Sequence, residues 1–321
     1  MKEPTYRQTL AQAWNLVWHH KVLWILGLLS VFLGQLGFSD MFGRVWSFFD
    51  SSLSQEGFAL LPIIKLNIYG GAWEILGLVW LAVICISIIA LFGFLAVAAQ
   101  GSLIYYAADW FKNGKQQTLH RPWNVAIKHF WSIAAVNIIK QIILFVLLAL
   151  FVLSAGYFFN SHSVGYGLLF AIICVLVFFI SLLLSCVSVY TLCYVVLDGR
   201  GLVVSVRKAL VLLSEHVLVS LEVGLLLMFV NILLVGVILA GAFFTFLPAV
   251  LIWIAGGIAN LVIFATIGFA VGLFLLLLFI AFVAGIFNAF TISAWVFLFM
   301  KMHKEGVSSR MVHFLKYIFS R

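Results

Sequence analysis

The residues of this chain best placed to do chemistry are the few polar ones inside long apolar stretches. Lys140 lies within the stretch 133–159, on one helical face with Asn137 and Gln141, and Glu222 lies a little over one turn into the stretch 217–244. An ionisable side chain in hydrocarbon is expensive, and it marks a proton relay, an ion path or a headgroup site unless it serves structure. Both stretches enter the membrane from the same side, so Lys140 and Glu222 could sit at similar depth and pair. A pair between them would be cheaper than two lone charges, although still costly. Lys140 alone can also snorkel toward the headgroups. Asn137, Lys140, Gln141 and Glu222 are therefore the candidate intramembrane polar site, weighed against a purely structural pair.

Other chemistry is poorly represented. His19, His20, His129, His216 and His303 flank the ends of apolar stretches, but only His19 and His20 are close in sequence, and adjacent helical residues point apart. Cys85, Cys174, Cys186 and Cys193 all fall inside apolar stretches without metal-ligand spacing, which reads as small buried hydrophobes. No phosphate-binding glycine loop, nucleophile elbow or zinc-protease motif occurs. The expectation is no catalytic residue, no metal, no cofactor and no enzyme.

The elements that position these residues are membrane helices. With 65% hydrophobic and 9% charged residues, the composition lies outside the soluble range, so the bilayer is the solvent. Backbone in hydrocarbon must pair internally, and continuous rather than alternating apolar runs select helices over a barrel. Six runs are long enough to cross: 22–38, 75–106, 133–159, 167–197, 217–244 and 268–300. The fold class is all-α, a polytopic transmembrane helix bundle of about six spans. The first run has no convincing cleavage site after it and is expected to be retained.

The net charge of +8 is unevenly distributed. Lys and Arg crowd the N-terminal arm (Lys2, Arg7, Lys21), the stretches after the second and fourth runs, and the tail, whereas the alternate loops hold only Arg44 and Lys65 beside Asp40, Asp50, Glu56 and Glu74. This positive-inside pattern predicts an inner-membrane, multi-pass protein with both termini in the cytoplasm. The basic ends suit anionic lipid headgroups, at about 1 kcal/mol per residue near the surface. Arg121, Lys128, Arg207 and Lys208 are the candidate headgroup ligands, and membrane lipids the expected partner. No aromatic-basic module supports nucleic acid, and no particular protein partner is indicated.

Three stretches, 11–29, 121–139 and 205–224, look like variants of one unit. Each begins as an amphipathic helix, meets a histidine (His20, His129, His216) and then becomes wholly apolar. Such helices lie in the headgroup plane with aromatic residues inward and Lys or Arg toward water. The chain is thus a single integral membrane domain, 1–321, with repeat units 1–116, 117–201 and 202–306 and an amphipathic tail, 307–321. Each unit is an interfacial helix followed by a helix hairpin. The second span of each is longer than a bilayer needs, and each ends at a basic or glycine-bearing turn. Gln100, Ser188 and Asn288 sit toward those ends as helix-packing residues. Two broken apolar segments, 39–72 and 245–262, are expected to be interfacial or re-entrant, with a seventh span at 247–264 as the alternative.

The stretches AWNLVWHHKVLWILGLL, GSLIYYAADWFKNGK leading into RPWNVAIKHFW, and YVVLDGRGLVVSVRKALVLL carry a resemblance. The chain resembles bacterial integral membrane proteins of the glycerophosphodiester phosphodiesterase membrane-domain type, in the membrane region only. The resemblance implies a six-span bundle connected with lipids. It brings no catalytic residue, because the sequence given contains no catalytic barrel. The functional expectation is a non-enzymatic membrane protein that binds or organises lipids or a membrane partner. The alternative is a transporter or channel for a small solute or lipid-like substrate using Lys140 and Glu222, although repeats related by rotation differ from the inverted repeats common in transporters.

Overall fold

The computed structural model describes residues 5–31, 72–114, 118–161, 164–258 and 262–305. All regular structure among them is helical: α1 (Thr5–His19), α2 (Val22–Val31), α3 (Ala72–Asn113), α4 (His120–Lys128), α5 (Phe130–Ser161), α6 (Val164–Asp198), α7 (Leu202–Glu215), α8 (Val217–Ile258) and α9 (Val262–Glu305). Of these, α3, α5, α6, α8 and α9 are long and apolar enough to cross a membrane. The chain is an all-α polytopic membrane protein. The first expected span is described only as the ten residues of α2. Most of the broken stretch 39–72 and the tail 307–321 lie outside the described residues.

The short helices α1, α4 and α7 are feet, and each breaks from the next helix at a histidine. α1 gives way to α2 around His20, α4 to α5 at His129, and α7 to α8 at His216. The last two leave helical geometry, with φ −103° at His129 and −127° at His216. Where the hairpins finish, α3 and α6 stop at Gly114 and Gly199, both with φ of 64°. That left-handed conformation suits glycine, which has no Cβ to clash, and it lets Gly114 N–H close the helix by bonding the Trp110 carbonyl at 2.8 Å.

Contacts of one kind recur around the bundle. Foot α4 packs on α3, foot α7 on α6, and foot α1 on α9, so the last contact joins the start of the chain to its end. The long helices α3, α6 and α9 also touch one another. Trp110 and Phe111 of α3 lie against Phe297 of α9, and Tyr194 of α6 meets Phe299 edge-on at 4.9 Å. The core therefore sits at one end of the bundle, in 96–108 of α3, 186–196 of α6 and 286–302 of α9. Away from it, side chains such as Trp80 and Ile89 are 67% and 70% exposed, as lipid-facing residues are. All four cysteines are free.

One expectation is corrected. Residues 247–258 are neither re-entrant nor a separate span, because α8 runs unbroken through Pro248 to Ile258. Proline removes one backbone bond, but membrane helices tolerate it where neighbours support the turn. Here Ala249 and Ile252 press against Gly272 and Gly268 of α9. At about 1.5 Å per residue the 42-residue α8 reaches roughly 63 Å, well beyond about 30 Å of hydrocarbon.

Close approach is tested at Gly27 of α2, where an added Cβ would run into the Gly285 carbonyl and Ala289 of α9. Gly27→Ala is expected to destabilise by about 1–3 kcal/mol in thermal unfolding in detergent. Gly156→Ala, in open space on α5, is expected to be neutral or slightly stabilising.

Candidate functional site

Three buried polar links join each long helix to the first span of another hairpin. Asn137 of α5 donates from Nδ2 to Gln100 Oε1 of α3 at 2.7 Å and to its own Ile133 carbonyl at 3.0 Å. The Tyr190 hydroxyl of α6 meets Ser220 Oγ of α8 at 2.8 Å. Asn288 of α9 donates to the Gly27 carbonyl at 2.9 Å and to Ser30 Oγ of α2 at 2.7 Å. Gln100 and Asn137 are only 0% and 8% exposed, and Gln100 Nε2 and Asn137 Oδ1 have no hydrogen-bond partner among the described residues. Sequence reasoning placed Gln100 and Asn288 among packing residues. It did not find their partners, because pairing between helices leaves no spacing signal.

Of the expected intramembrane site, the structure brings Asn137 and Lys140 together on the buried face of α5, with Lys140 only 3% exposed. Lys140 lies eleven residues past His129, about 16 Å along the helix. Gln141 and Glu222 are half-buried. Because α5 packs on α6 and α3, while α8 packs mainly on α9, Lys140 and Glu222 stand on helices that are not close neighbours.

The basic end of the bundle forms a second constellation. Arg121 and Lys128 are exposed on α4, Arg207 is exposed on α7, and Lys208 is half-buried. The structure brings Arg207 and Lys208 into a groove between α6, α7 and α9 that encloses about 670 Å³. His216 and His303 also line it, with Glu215 the acidic member and Val204, Val211 and Met302 among its apolar walls. Arg121 and Lys128 lie on a different foot and do not join it. Sequence reasoning set the histidines aside as interfacial, since nothing in their spacing links His216 to His303.

The hinge histidines lie against the ends of the long helices. The Tyr106 hydroxyl and His20 Nδ1 are 3.1 Å apart, a bond in which a neutral ring can accept. The His129 ring lies over Gly199, where a Cβ would be 3.8 Å away. Burial holds His20 below its ordinary value of 6.5, and His19 adds to the effect. Burial, then Lys128, does the same to His129.

No family model, curated protein or solved structure matches the chain. Among the described residues there is no group of three or more His, Cys, Asp or Glu placed to hold a metal ion.

Two outcomes are expected. Replacing Gln100 or Asn137 singly by Leu strands its partner and lowers stability by about 1–2 kcal/mol, whereas the double replacement costs less than the sum, measured as a double-mutant cycle. The histidines set the pH dependence. Their folded values lie below the unfolded 6.5, so the stability they contribute is full above that pH and is lost as pH falls through the folded values. Thermal midpoints are expected to be level above pH 6.5 and to decline below it, with a shallower decline in the His20→Gln, His129→Gln protein.

Proposed function

We propose that this chain is a non-enzymatic protein of a bacterial inner membrane that binds and organises anionic lipid at its basic end, which faces the cytoplasm. The observation that carries the reading is the make-up of the docked feet. Each is amphipathic, and α4 and α7 present basic side chains (Arg121, Lys128, Arg207, Lys208) alongside exposed apolar ones such as Ile127, Val203 and Leu210. On α1 the exposed residues include Trp14 and Trp18. Aromatic and aliphatic groups of this kind enter the acyl boundary while cations remain among headgroups. We further read the units 1–116, 117–201 and 202–306 as three copies of one hairpin related by rotation. The recurring foot contacts and the polar links support that reading.

A second reading, a transporter, is favoured by one observation: Lys140 is buried well inside the apolar helix α5, one turn from Asn137. Flux of a solute into proteoliposomes that is lost in Lys140→Met would support it.

The lipid reading is tested by purifying the protein in mild detergent and measuring retained lipid. Changing Arg121, Lys128, Arg207 and Lys208 to Gln should lower the ratio of anionic to zwitterionic lipid at least about tenfold, given about 1 kcal/mol per cation. An unchanged ratio would contradict the proposal.

A further inference from the structure

We propose that the groove between α6, α7 and α9 is a discrete site for one anionic phospholipid, its phosphate held at the Arg207 and Lys208 end and its acyl part along the valine wall. This rests on the lipid reading and narrows it from a charged surface to a single site.

Size, charge and wall chemistry agree. The groove encloses about 670 Å³, within the roughly 300–1,000 Å³ typical of small-molecule sites. Its lining carries two permanent cations, Arg207 and Lys208, against one acid, Glu215. Guanidinium and ammonium groups are the usual partners of phosphate oxygens, the first through a planar fork and the second as a point charge. Val204 and Val211 are each about half exposed although apolar, at 50% and 51%. They lie on the same foot as the cations, so one occupant meets charge and hydrocarbon together. Met302 adds a wall that can adapt in shape.

The histidines at the hinges differ in their surroundings. His20 has the Tyr106 hydroxyl as partner for its Nδ1. His216 stands at the corresponding hinge of α7 and α8, yet its Nδ1 is buried with no hydrogen-bond partner among the described residues. Burying a polar nitrogen without a partner is unfavourable. His216 borders the groove with the rest of its ring, while the closed-off Nδ1 faces away from that space. His303, stacked on Phe299 with ring centroids 5.9 Å apart, flanks the same space and is fixed in place by that contact.

The test uses native mass spectrometry of the full chain in mild detergent, titrated with dioctanoyl phosphatidylglycerol, dioctanoyl phosphatidylcholine and inorganic phosphate. One phosphatidylglycerol should bind per chain, in preference to phosphatidylcholine. Val211→Trp, which fills the groove and keeps every charge, should weaken that binding by roughly tenfold or more, as should Arg207→Gln with Lys208→Gln. Val204→Trp, from the same helix, repeats the filling test should Val211→Trp fail to fold. If both filled variants bind as the native protein does, the discrete site is overturned, while loss of retained anionic lipid in the four-cation variant would still uphold the broader reading. Equal binding of phosphatidylcholine, or inorganic phosphate that competes as well as the lipid, would also overturn it.

Discussion

In hydrocarbon an apolar side chain gains little by exchanging lipid for protein, so helices there associate through close approach and hydrogen bonds. That constraint explains why so few residues hold this bundle together. Gln100 with Asn137, Tyr190 with Ser220, and Asn288 with Ser30 each join one long helix to the first span of another hairpin. Where Gly27 and Gly285 face each other, α2 and α9 come near enough for backbone to touch side chain. The three long helices then meet through rings at one end, and their far halves are left to lipid.

The feet convert this packing into a surface. Each foot docks on the end of a long helix, and the hinge histidine sets where the chain turns from the foot into the next apolar helix. Because α7 is held against α6, its cations and valines border a groove with the end of α9 and are not spread over a free helix. The same docking places Arg121 and Lys128 of α4 beside α3. The shape of the basic end is thus tied to the packing of the core beneath it.

Much of this architecture was legible in the sequence. The amphipathic period of α1, α4 and α7, the histidines at their ends and the glycines after α3 and α6 all announce local backbone choices, and local choices leave local signals. The continuity of α8 was not legible, since Pro248 and the glycines that follow are breakers by themselves and are tolerated here because α9 packs alongside. Nor was the partner of Asn137, because the sequence separates it from Gln100 by an intervening foot. Lys140 and Glu222 show the same limit: two polar residues in apolar stretches of like orientation need not lie on neighbouring helices. The His216 groove draws residues from three helices, and only the fold assembles them.

The central claim is that the chain closes on itself, with the first foot packed on the last helix. Trp14 of α1 and Phe290 of α9 meet edge-on with ring centroids 5.7 Å apart, although most of the sequence lies between them. The direct measurement is oxidative crosslinking in native membranes of a protein with its four cysteines replaced and new ones introduced by Trp14→Cys and Phe290→Cys. The account predicts efficient crosslinking within one chain, so that fragments from a cut between α4 and α7 stay joined until reduced. Fragments that separate without reductant, or crosslinks formed only between chains, would contradict it.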